Sequence, residues 1–225
     1  MVINGLQKLT LLDFPEHTAC TIFTAGCNFR CPFCHNAGLV RTPLAQPSLT
    51  DEVLTYLARR QGILDGVCIT GGEPLLQPEL PALLRQIRAL GFAVKLDTNG
   101  THPDRLEALL AEGLLDYAAM DIKNCRDYYA VTSGIHEASF DLTRIEKSIT
   151  YLLQSGIPHE FRTTVTKELH GPEQMKGIGM WLSGLASKIF NTGTLPSPYY
   201  LQNFKDSGDL VGGADAGFHP IEDEV

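Results

Sequence analysis

Segments typical of strands and segments typical of helices alternate along this chain, and the alternation limits the fold more than any other feature. Six strand-like segments recur between residues 19 and 204, each separated from the next by a helix-like segment. The pattern predicts an α/β fold in which parallel strands are joined by helical crossovers, as a doubly wound sheet or as a full or partial barrel. In each of these folds, functional side chains gather at the carboxyl ends of the strands.

Glycine, proline and capping residues set the predicted boundaries. Ser48 or Thr50 can begin the first helix, and the helix opened by Pro172 is the least regular because it is rich in glycine. The long connection over residues 124–140 predicts extra short helices or a functional role. A strand or hairpin arm is predicted at residues 6–14, and the six strands that follow are predicted at residues 19–24, 66–70, 92–96, 117–120, 160–165 and 199–204. The helices are predicted near residues 50–61, 78–90, 103–112 and 141–155 and beyond residue 172.

The composition is that of a soluble globular protein. Of the 225 residues, 44% are hydrophobic and 20% are charged, and the length suits one domain with a buried core or two small ones. Because there is no apolar run of membrane-spanning length and no signal-like start, we expect a cytoplasmic protein without a membrane partner. The net charge of -8 argues against a nucleic-acid partner.

Much of the negative charge lies near the C-terminal end. Residues 205–225 contain six acidic residues and one lysine. An acidic segment that also contains several glycines is typical of a solvated, mobile end. We therefore expect one α/β domain over residues 1–205 and an acidic tail over residues 206–225.

Three of the six cysteines lie within eight residues, at Cys27, Cys31 and Cys34. This C-x3-C-x2-C run follows a predicted strand, and its compact spacing favours an iron-sulfur cluster. A 4Fe-4S cluster normally takes four cysteine ligands, so three would leave one iron free to bind something else. A structural zinc site is the alternative, but zinc normally takes four ligands in two separated pairs, and His35 would crowd against Cys34.

Polar residues follow several of the other predicted strands. Gly71-Gly72-Glu73-Pro74 forms a strand-to-helix turn whose carboxylate, without a following Walker lysine, suits a cationic group such as an ammonium better than a phosphate. Asp97 and Asp121 each close a strand, with Lys123 and Arg162 near by. They either cap turns or together grip a ligand that carries both charges.

Taken together, these motifs resemble the radical S-adenosylmethionine (SAM) superfamily, and within it the glycyl-radical activating enzymes. The three cysteines and the Gly-Gly-Glu-Pro turn carry the resemblance to the superfamily, and the segments at residues 5–15, 34–36, 95–100, 119–123 and 161–165 carry the resemblance to the activating enzymes. The greatest similarity is to the activating proteins of anaerobic ribonucleoside-triphosphate reductases.

The resemblance implies a partial (β/α)6 barrel over residues 1–205 in which Cys27, Cys31 and Cys34 hold a 4Fe-4S cluster. The open iron would bind the amino and carboxylate groups of SAM. Gly71, Gly72 and Glu73 are implied to contact the methionyl ammonium, and Phe33 and Asn203 the adenine. Asp97, Asp121 and Lys123 would lie beside the methionyl carboxylate and a monovalent cation. Arg162 would lie near the cofactor. No catalytic residue is implied beyond the cluster and cofactor site.

The resemblance also implies the reaction and its partners. A flavodoxin-like or ferredoxin-like donor would reduce the cluster, SAM would be cleaved reductively, and the resulting 5′-deoxyadenosyl radical would remove an α-hydrogen from a glycine of a partner enzyme. Two alternatives stay open at this point. One is the same radical chemistry on a small molecule or an RNA base, and the other is a zinc-binding interaction module without catalysis.

Overall fold

The computed structural model describes residues 1–43, 49–206, 208–213 and 216–222. Ser48, one of the two candidates to begin a helix, lies outside the described residues, as do three of the acidic residues counted near the C-terminal end, Asp215, Asp223 and Glu224. In this part of the chain no helix is both long enough and apolar enough to cross a membrane.

Seven strands form one sheet whose order in space follows their order in the chain. The first two strands are antiparallel, and all the later neighbours are parallel. An order without reversal belongs to a barrel wall and not to a doubly wound sheet, and among the described residues the sheet does not close. The predicted partial barrel is therefore confirmed. The strands are β1 (Ile3–Thr10), β2 (Ala19–Thr24), β3 (Gly66–Gly71), β4 (Ala93–Thr98), β5 (Tyr117–Asp121), β6 (His159–Val165) and β7 (Tyr199–Asn203).

The helices that connect the strands bury regularly spaced apolar residues. In the third helix Leu83 and Ile87 are buried one turn apart, and the left-handed Gly91 follows its end. The sixth helix begins where the Asp141 carboxylate accepts the Thr143 N–H, and it ends at the left-handed Gly156. The helices are α1 (Ala37–Arg41), α2 (Thr50–Ala58), α3 (Leu80–Ala89), α4 (Pro103–Ala111), α5 (Tyr129–Ser133), α6 (Leu142–Ser155) and α7 (Pro172–Phe190).

The predicted helix after Pro172 is the longest helix of the described residues. It starts with Pro172 in the first turn and runs for 19 residues to a left-handed Asn191. Its glycines do not break it because one face is buried through Ile178, Trp181 and Leu182. Tertiary packing thus outweighs the low helix propensity of glycine in this segment.

Two short features complete the connections. The predicted extra helices of the long connection are present as α5 and two 3-10 turns, Arg126–Tyr128 and Glu137–Ser139. Helix α1, directly after the cysteines, was not predicted, because five residues are too few to show a helical period.

The segment after β7 packs on the cysteine loop. Leu210 is 3% exposed, the Val211 N–H donates to the Cys34 carbonyl at 3.0 Å, and the Gly212 N–H donates to the Pro32 carbonyl at 2.9 Å. The Arg41 guanidinium also donates to the Leu210 and Val211 carbonyls. We call residues 208–213 and 216–222 the C-terminal segment. The division between a domain and a tail at residue 205 stays a prediction.

Two glycines of α7 should respond differently to substitution by alanine. A Cβ at Gly179 meets nothing within 4 Å, whereas a Cβ at Gly177 would lie 2.9 Å from the Cys125 Cβ. We expect Gly179→Ala to raise the free energy of unfolding by about 0.5–1 kcal/mol, because alanine loses less backbone entropy in a helix. Gly177→Ala, the matched control, should give no gain. Urea denaturation measures both, and equal gains would contradict this packing.

Candidate active site

One cavity of about 270 Å³ lies at the carboxyl ends of the parallel strands. Loops after β2 and β3 form one wall, and the ends of β4, β5 and β6 form the other. The sheet therefore brings most of the predicted site to one place, as expected for parallel strands. Ten of the twelve predicted site residues line the cavity, namely Cys27, Cys31, Cys34, Phe33, Gly71, Gly72, Asp97, Asp121, Lys123 and Arg162.

The three cysteines around this cavity are free thiols, and Cys31 is only 6% exposed. Burial raises the pKa of Cys27 to about 11 and that of Cys31 to about 12, while the charge of Lys123 acts in the opposite direction on both. Within the described residues no three Cys, His, Asp or Glu side chains already stand together as metal ligands. The three thiols nevertheless form a soft donor set that shares one cavity, and this set fits an iron-sulfur cluster better than a hard cation.

The cysteine loop is held on two sides. On the first side, the Arg30 N–H donates to the Ser133 carbonyl at 2.8 Å, and a Cβ at Gly134 would lie 2.1 Å from the Arg30 carbonyl oxygen. The left-handed glycine that ends α5 therefore allows this close contact. On the second side the C-terminal segment contacts the loop, and the Phe33 ring packs edge-on against Phe218 with the centroids 5.9 Å apart.

The Gly71-Gly72-Glu73 turn is joined to the start of the cysteine loop by two backbone hydrogen bonds. The Gly72 N–H donates to the Thr24 carbonyl at 2.9 Å, and the Glu73 N–H donates to the Gly26 carbonyl at 2.8 Å. A Cβ at Gly72 would lie 1.9 Å from the Gly26 carbonyl oxygen. The contact between the two strand ends thus requires glycine at position 72, whether or not a ligand also approaches the backbone there.

Glu73 lies behind the cavity wall and is 0% exposed. Its carboxylate accepts hydrogen bonds from the Leu75 N–H at 2.9 Å, the Thr98 hydroxyl at 2.8 Å and the Asn99 N–H at 2.7 Å. Burial raises its pKa to about 7, although the three hydrogen bonds act to lower it. In this structure, protein donors satisfy the carboxylate that the resemblance assigns to an ammonium.

The two aspartates and their cations form one charged network on the opposite wall. Arg162 Nη2 lies 3.3 Å from an Asp97 oxygen and 3.1 Å from an Asp121 oxygen, so it bridges the two carboxylates. Lys95 Nζ contacts Asp97 at 2.6 Å, and Lys123 Nζ contacts Asp121 at 2.9 Å. The structure brings together the four charged residues that sequence reasoning grouped, and it adds Lys95.

The network fixes the charge state of Asp121, Lys123 and Arg162. Burial alone would raise the pKa of Asp121, but Lys123 and Arg162 lower it to about 2. Burial alone would lower the pKa values of Lys123 and Arg162, but the neighbouring carboxylates raise both. All three groups therefore stay ionised near neutral pH and present fixed charges to the cavity.

The structure does not place Asn203 at the cavity. Its side chain exchanges hydrogen bonds with the backbone of Ile221, while the neighbouring Gln202 lines the cavity instead. Successive residues of a strand point to opposite faces, and Gln202 pairs with Thr164, which also lines the cavity. The strand period combined with this register would have identified Gln202.

Other lining residues were also missed as site residues by sequence reasoning. All but Val40 lie within two positions of a predicted residue, so a small extension of the strand-end argument would have found most of them. They are Phe29, His35, Asn36, Val40, Thr70, Thr98, Asn99, Thr164 and Gln202.

The open parallel sheet and the three-cysteine loop at its carboxyl edge define an iron-sulfur enzyme of the radical SAM type. The profile of the radical SAM superfamily matches residues 21–171, which is more than half of the chain. The chain belongs to this superfamily and is a radical SAM enzyme. Membership implies a 4Fe-4S cluster and SAM as cofactors.

Individual relatives differ in what their names say. A Methanocaldococcus jannaschii protein, provisionally named a glycyl-radical enzyme activating enzyme, is 30% identical over 182 residues, 79% of this chain and 73% of the relative. The pyruvate formate-lyase-activating enzyme of Clostridium pasteurianum is 30% identical over 145 residues, 62% of this chain and 60% of that protein. A Thermococcus kodakarensis protein, provisionally named a GTP 3′,8-cyclase, is 30% identical over 154 residues, 67% of this chain. The chain spans only 48% of that relative's length.

Solved structures agree on the fold. A radical SAM methyltransferase from Sphaerobacter thermophilus superposes with a TM-score of 0.65 at 14% identity, covering 94% of this chain and 61% of that chain. Streptococcus suis SuiB bound to SAM superposes with a TM-score of 0.60 at 18% identity, covering 84% of this chain and 41% of that chain. At these identities the likeness concerns the fold alone.

The Arg162 bridge should contribute to stability far more than an exposed ion pair. Arg162→Met leaves two largely buried carboxylates without a shared partner, and we expect the free energy of unfolding at pH 7 to fall by about 3 kcal/mol. Arg85 pairs with Glu112 at the surface, so the control Arg85→Met should cost less than about 1 kcal/mol. Urea denaturation compares the two, and equal losses would contradict the buried network.

Glu73 should make folding depend on pH in one direction. Its pKa rises from 4.5 to about 7 on folding, so the folded protein holds this proton more tightly between those values. The contribution of Glu73 to the free energy of unfolding is therefore present at low pH and falls by about 3 kcal/mol as the pH rises through this window. Urea denaturation across the window should give a flatter pH dependence for Glu73→Gln, and an unchanged slope would contradict the assignment.

Proposed function

We propose that this protein activates a glycyl radical enzyme, and that the partner is an anaerobic ribonucleoside-triphosphate reductase. The observation that carries the proposal is the similarity to the Methanocaldococcus jannaschii activating enzyme, which extends over 79% of this chain and 73% of that relative. The match to a pyruvate formate-lyase-activating enzyme points to the same class. The proposed cellular setting is an anaerobic cytoplasm with a flavodoxin-like or ferredoxin-like electron donor.

The open sheet supports a protein substrate. Strand β7 is an edge strand, and Tyr200 and Leu201 on it are 52% and 56% exposed. Gln202 on the same strand lines the cavity. A segment of a partner chain can therefore reach the cavity from the side, along an edge that a closed barrel would not have.

The residues of this chain have the following proposed roles. Cys27, Cys31 and Cys34 hold the cluster, and the backbone of Gly71 and Gly72 forms the wall for the methionyl ammonium, with Glu73 behind it. When bound, the cluster supplies an electron and SAM supplies the 5′-deoxyadenosyl group that takes a hydrogen atom from glycine.

The charged network has a proposed role in orientation. Lys123 and Arg162 carry fixed positive charge that attracts the methionyl carboxylate, and Asp97 and Asp121 hold these cations in place. A monovalent cation beside the two aspartates remains part of the proposal. Phe33 and, from its position on β7, Asn203 remain the proposed adenine contacts.

A second candidate function has one specific observation in its favour. The Thermococcus kodakarensis relative is provisionally named a GTP 3′,8-cyclase, and its match covers 67% of this chain. The same cluster and cofactor site would then act on a small molecule or an RNA base. Superfamily membership, in contrast, favours a cluster over the zinc-binding interaction module left open by the sequence alone.

The proposal predicts a radical on a partner protein. After anaerobic reconstitution with iron and sulfide, reduction and addition of SAM, we expect 5′-deoxyadenosine together with a glycyl radical signal in the electron paramagnetic resonance (EPR) spectrum of an anaerobic ribonucleoside-triphosphate reductase. Cys31→Ala should lose both products, whereas Cys125→Ala, which changes a cysteine outside the trio, should keep them. Cleavage of SAM without a radical on any glycyl radical enzyme encoded alongside would overturn the proposal. Transfer of deuterium from labelled GTP into 5′-deoxyadenosine would favour the second candidate.

A further inference from the structure

Asn99 is a buried polar residue of the cavity wall that contacts a cysteine of the trio. It follows directly after β4 and is 6% exposed. Its Nδ2 lies 3.8 Å from the Cys27 sulfur, within the range of an N–H···S hydrogen bond. The Phe29 backbone N–H also donates to the same sulfur, at 3.4 Å. Cys27 therefore receives two hydrogen bonds from the protein.

A closed ring of hydrogen bonds fixes which end of the Asn99 amide faces the sulfur. The Asn99 Oδ1 accepts from the Thr101 N–H at 3.0 Å and from the Thr101 hydroxyl at 2.7 Å. The same hydroxyl accepts from Asn28 Nδ2 at 2.9 Å, and Asn99 Nδ2 donates to Asn28 Oδ1 at 2.9 Å. A flipped amide would set its carbonyl against Asn28 Oδ1 and its NH2 group against the Thr101 N–H, so the donor must point toward Cys27.

The backbone of Asn99 is fixed as well. Its N–H donates to the buried Glu73 carboxylate at 2.7 Å, and Glu73 in turn is hydrogen-bonded through its own N–H to Gly26 beside Cys27. Asn99 is therefore held both through its amide and through its main chain. A donor that is already held in place loses little freedom when the sulfur becomes a cluster ligand.

We propose that Asn99 is a positioning residue that sets the reduction potential of the cluster through its hydrogen bond to Cys27. Hydrogen bonds to the ligand sulfurs are one of the terms that tune the potential of iron-sulfur clusters. Reduction adds negative charge to the cluster, and an N–H donor stabilises that charge, so this bond makes the cluster easier to reduce. The inference rests on the cluster of the proposed function, but not on the identity of the protein substrate.

The test is an EPR-monitored redox titration of the full-length reconstituted protein without SAM. In Asn99→Ala the ratio of reduced to oxidised cluster at a fixed potential should fall about three- to tenfold, and tenfold corresponds to about 59 mV for a one-electron couple. In Asn99→Asp, which replaces the donor by a carboxylate, the ratio of reduced to oxidised cluster should fall further. Thr101→Val keeps the backbone N–H bond to Asn99 Oδ1 but removes the hydroxyl that bonds Asn99 and Asn28, and it should give a smaller shift in the same direction.

The control is Asn4→Asp, which makes the same chemical change at an exposed position of β1 outside the cavity and should leave the potential unchanged. Iron and sulfide analysis and the visible spectrum establish that each variant holds a full cluster. An unchanged potential in fully loaded Asn99→Ala and Asn99→Asp would overturn the inference and leave Asn99 a structural residue. A lowered potential with no glycyl radical on any partner would support the inference while the proposed function fails. A wild-type protein that assembles no cluster would overturn both.

Discussion

The contact between the ends of β2 and β3 is the constraint on which the rest of the site depends. Two backbone hydrogen bonds join Gly72 to Thr24 and Glu73 to Gly26, at a separation that no side chain at Gly72 would allow. The contact places the cysteine loop against the Gly-Gly-Glu turn. It also buries Glu73, whose carboxylate then gathers donors from the end of β4. The contact between β2 and β3 thus fixes the ends of β2, β3 and β4 relative to one another.

The charged wall opposite this contact has a different physical character. Moving ions out of water costs several kcal/mol per ion, and a buried pair is weak evidence for stability by itself. The alternation of Lys95, Asp97, Arg162, Asp121 and Lys123 offsets that cost because each ion has a partner of opposite charge. What the arrangement provides is orientation, since a turn of Asp97 would break its ion pairs with Lys95 and Arg162, and a turn of Asp121 would break those with Lys123 and Arg162.

Much of the fold was predictable because local signals and the global topology agree. Strand segments such as residues 19–24 and helix boundaries such as Pro103 and Gly156 combine apolar periodicity with turn chemistry, and the structure has them within a few residues. Most of the residues that line the site were predictable for a simpler reason. The residues that follow parallel strands all lie at the same edge of the sheet. The features of the site that were not predictable depend on register and burial. The sequence does not show that Gln202 and not Asn203 faces inward, or that the Glu73 carboxylate is already surrounded by protein donors.

The docking of the C-terminal segment has a consequence for the order in which the molecule is built. Arg41 and Leu210 touch although 169 residues separate them in the chain. A ribosome adds about 5–20 residues per second, so the cysteine loop is synthesised many seconds before the segment that packs on it. During that interval the loop is accessible from the side that Val211 and Gly212 later cover. The hydrogen bonds from Val211 and Gly212 to the loop therefore form only after the whole sheet has been synthesised.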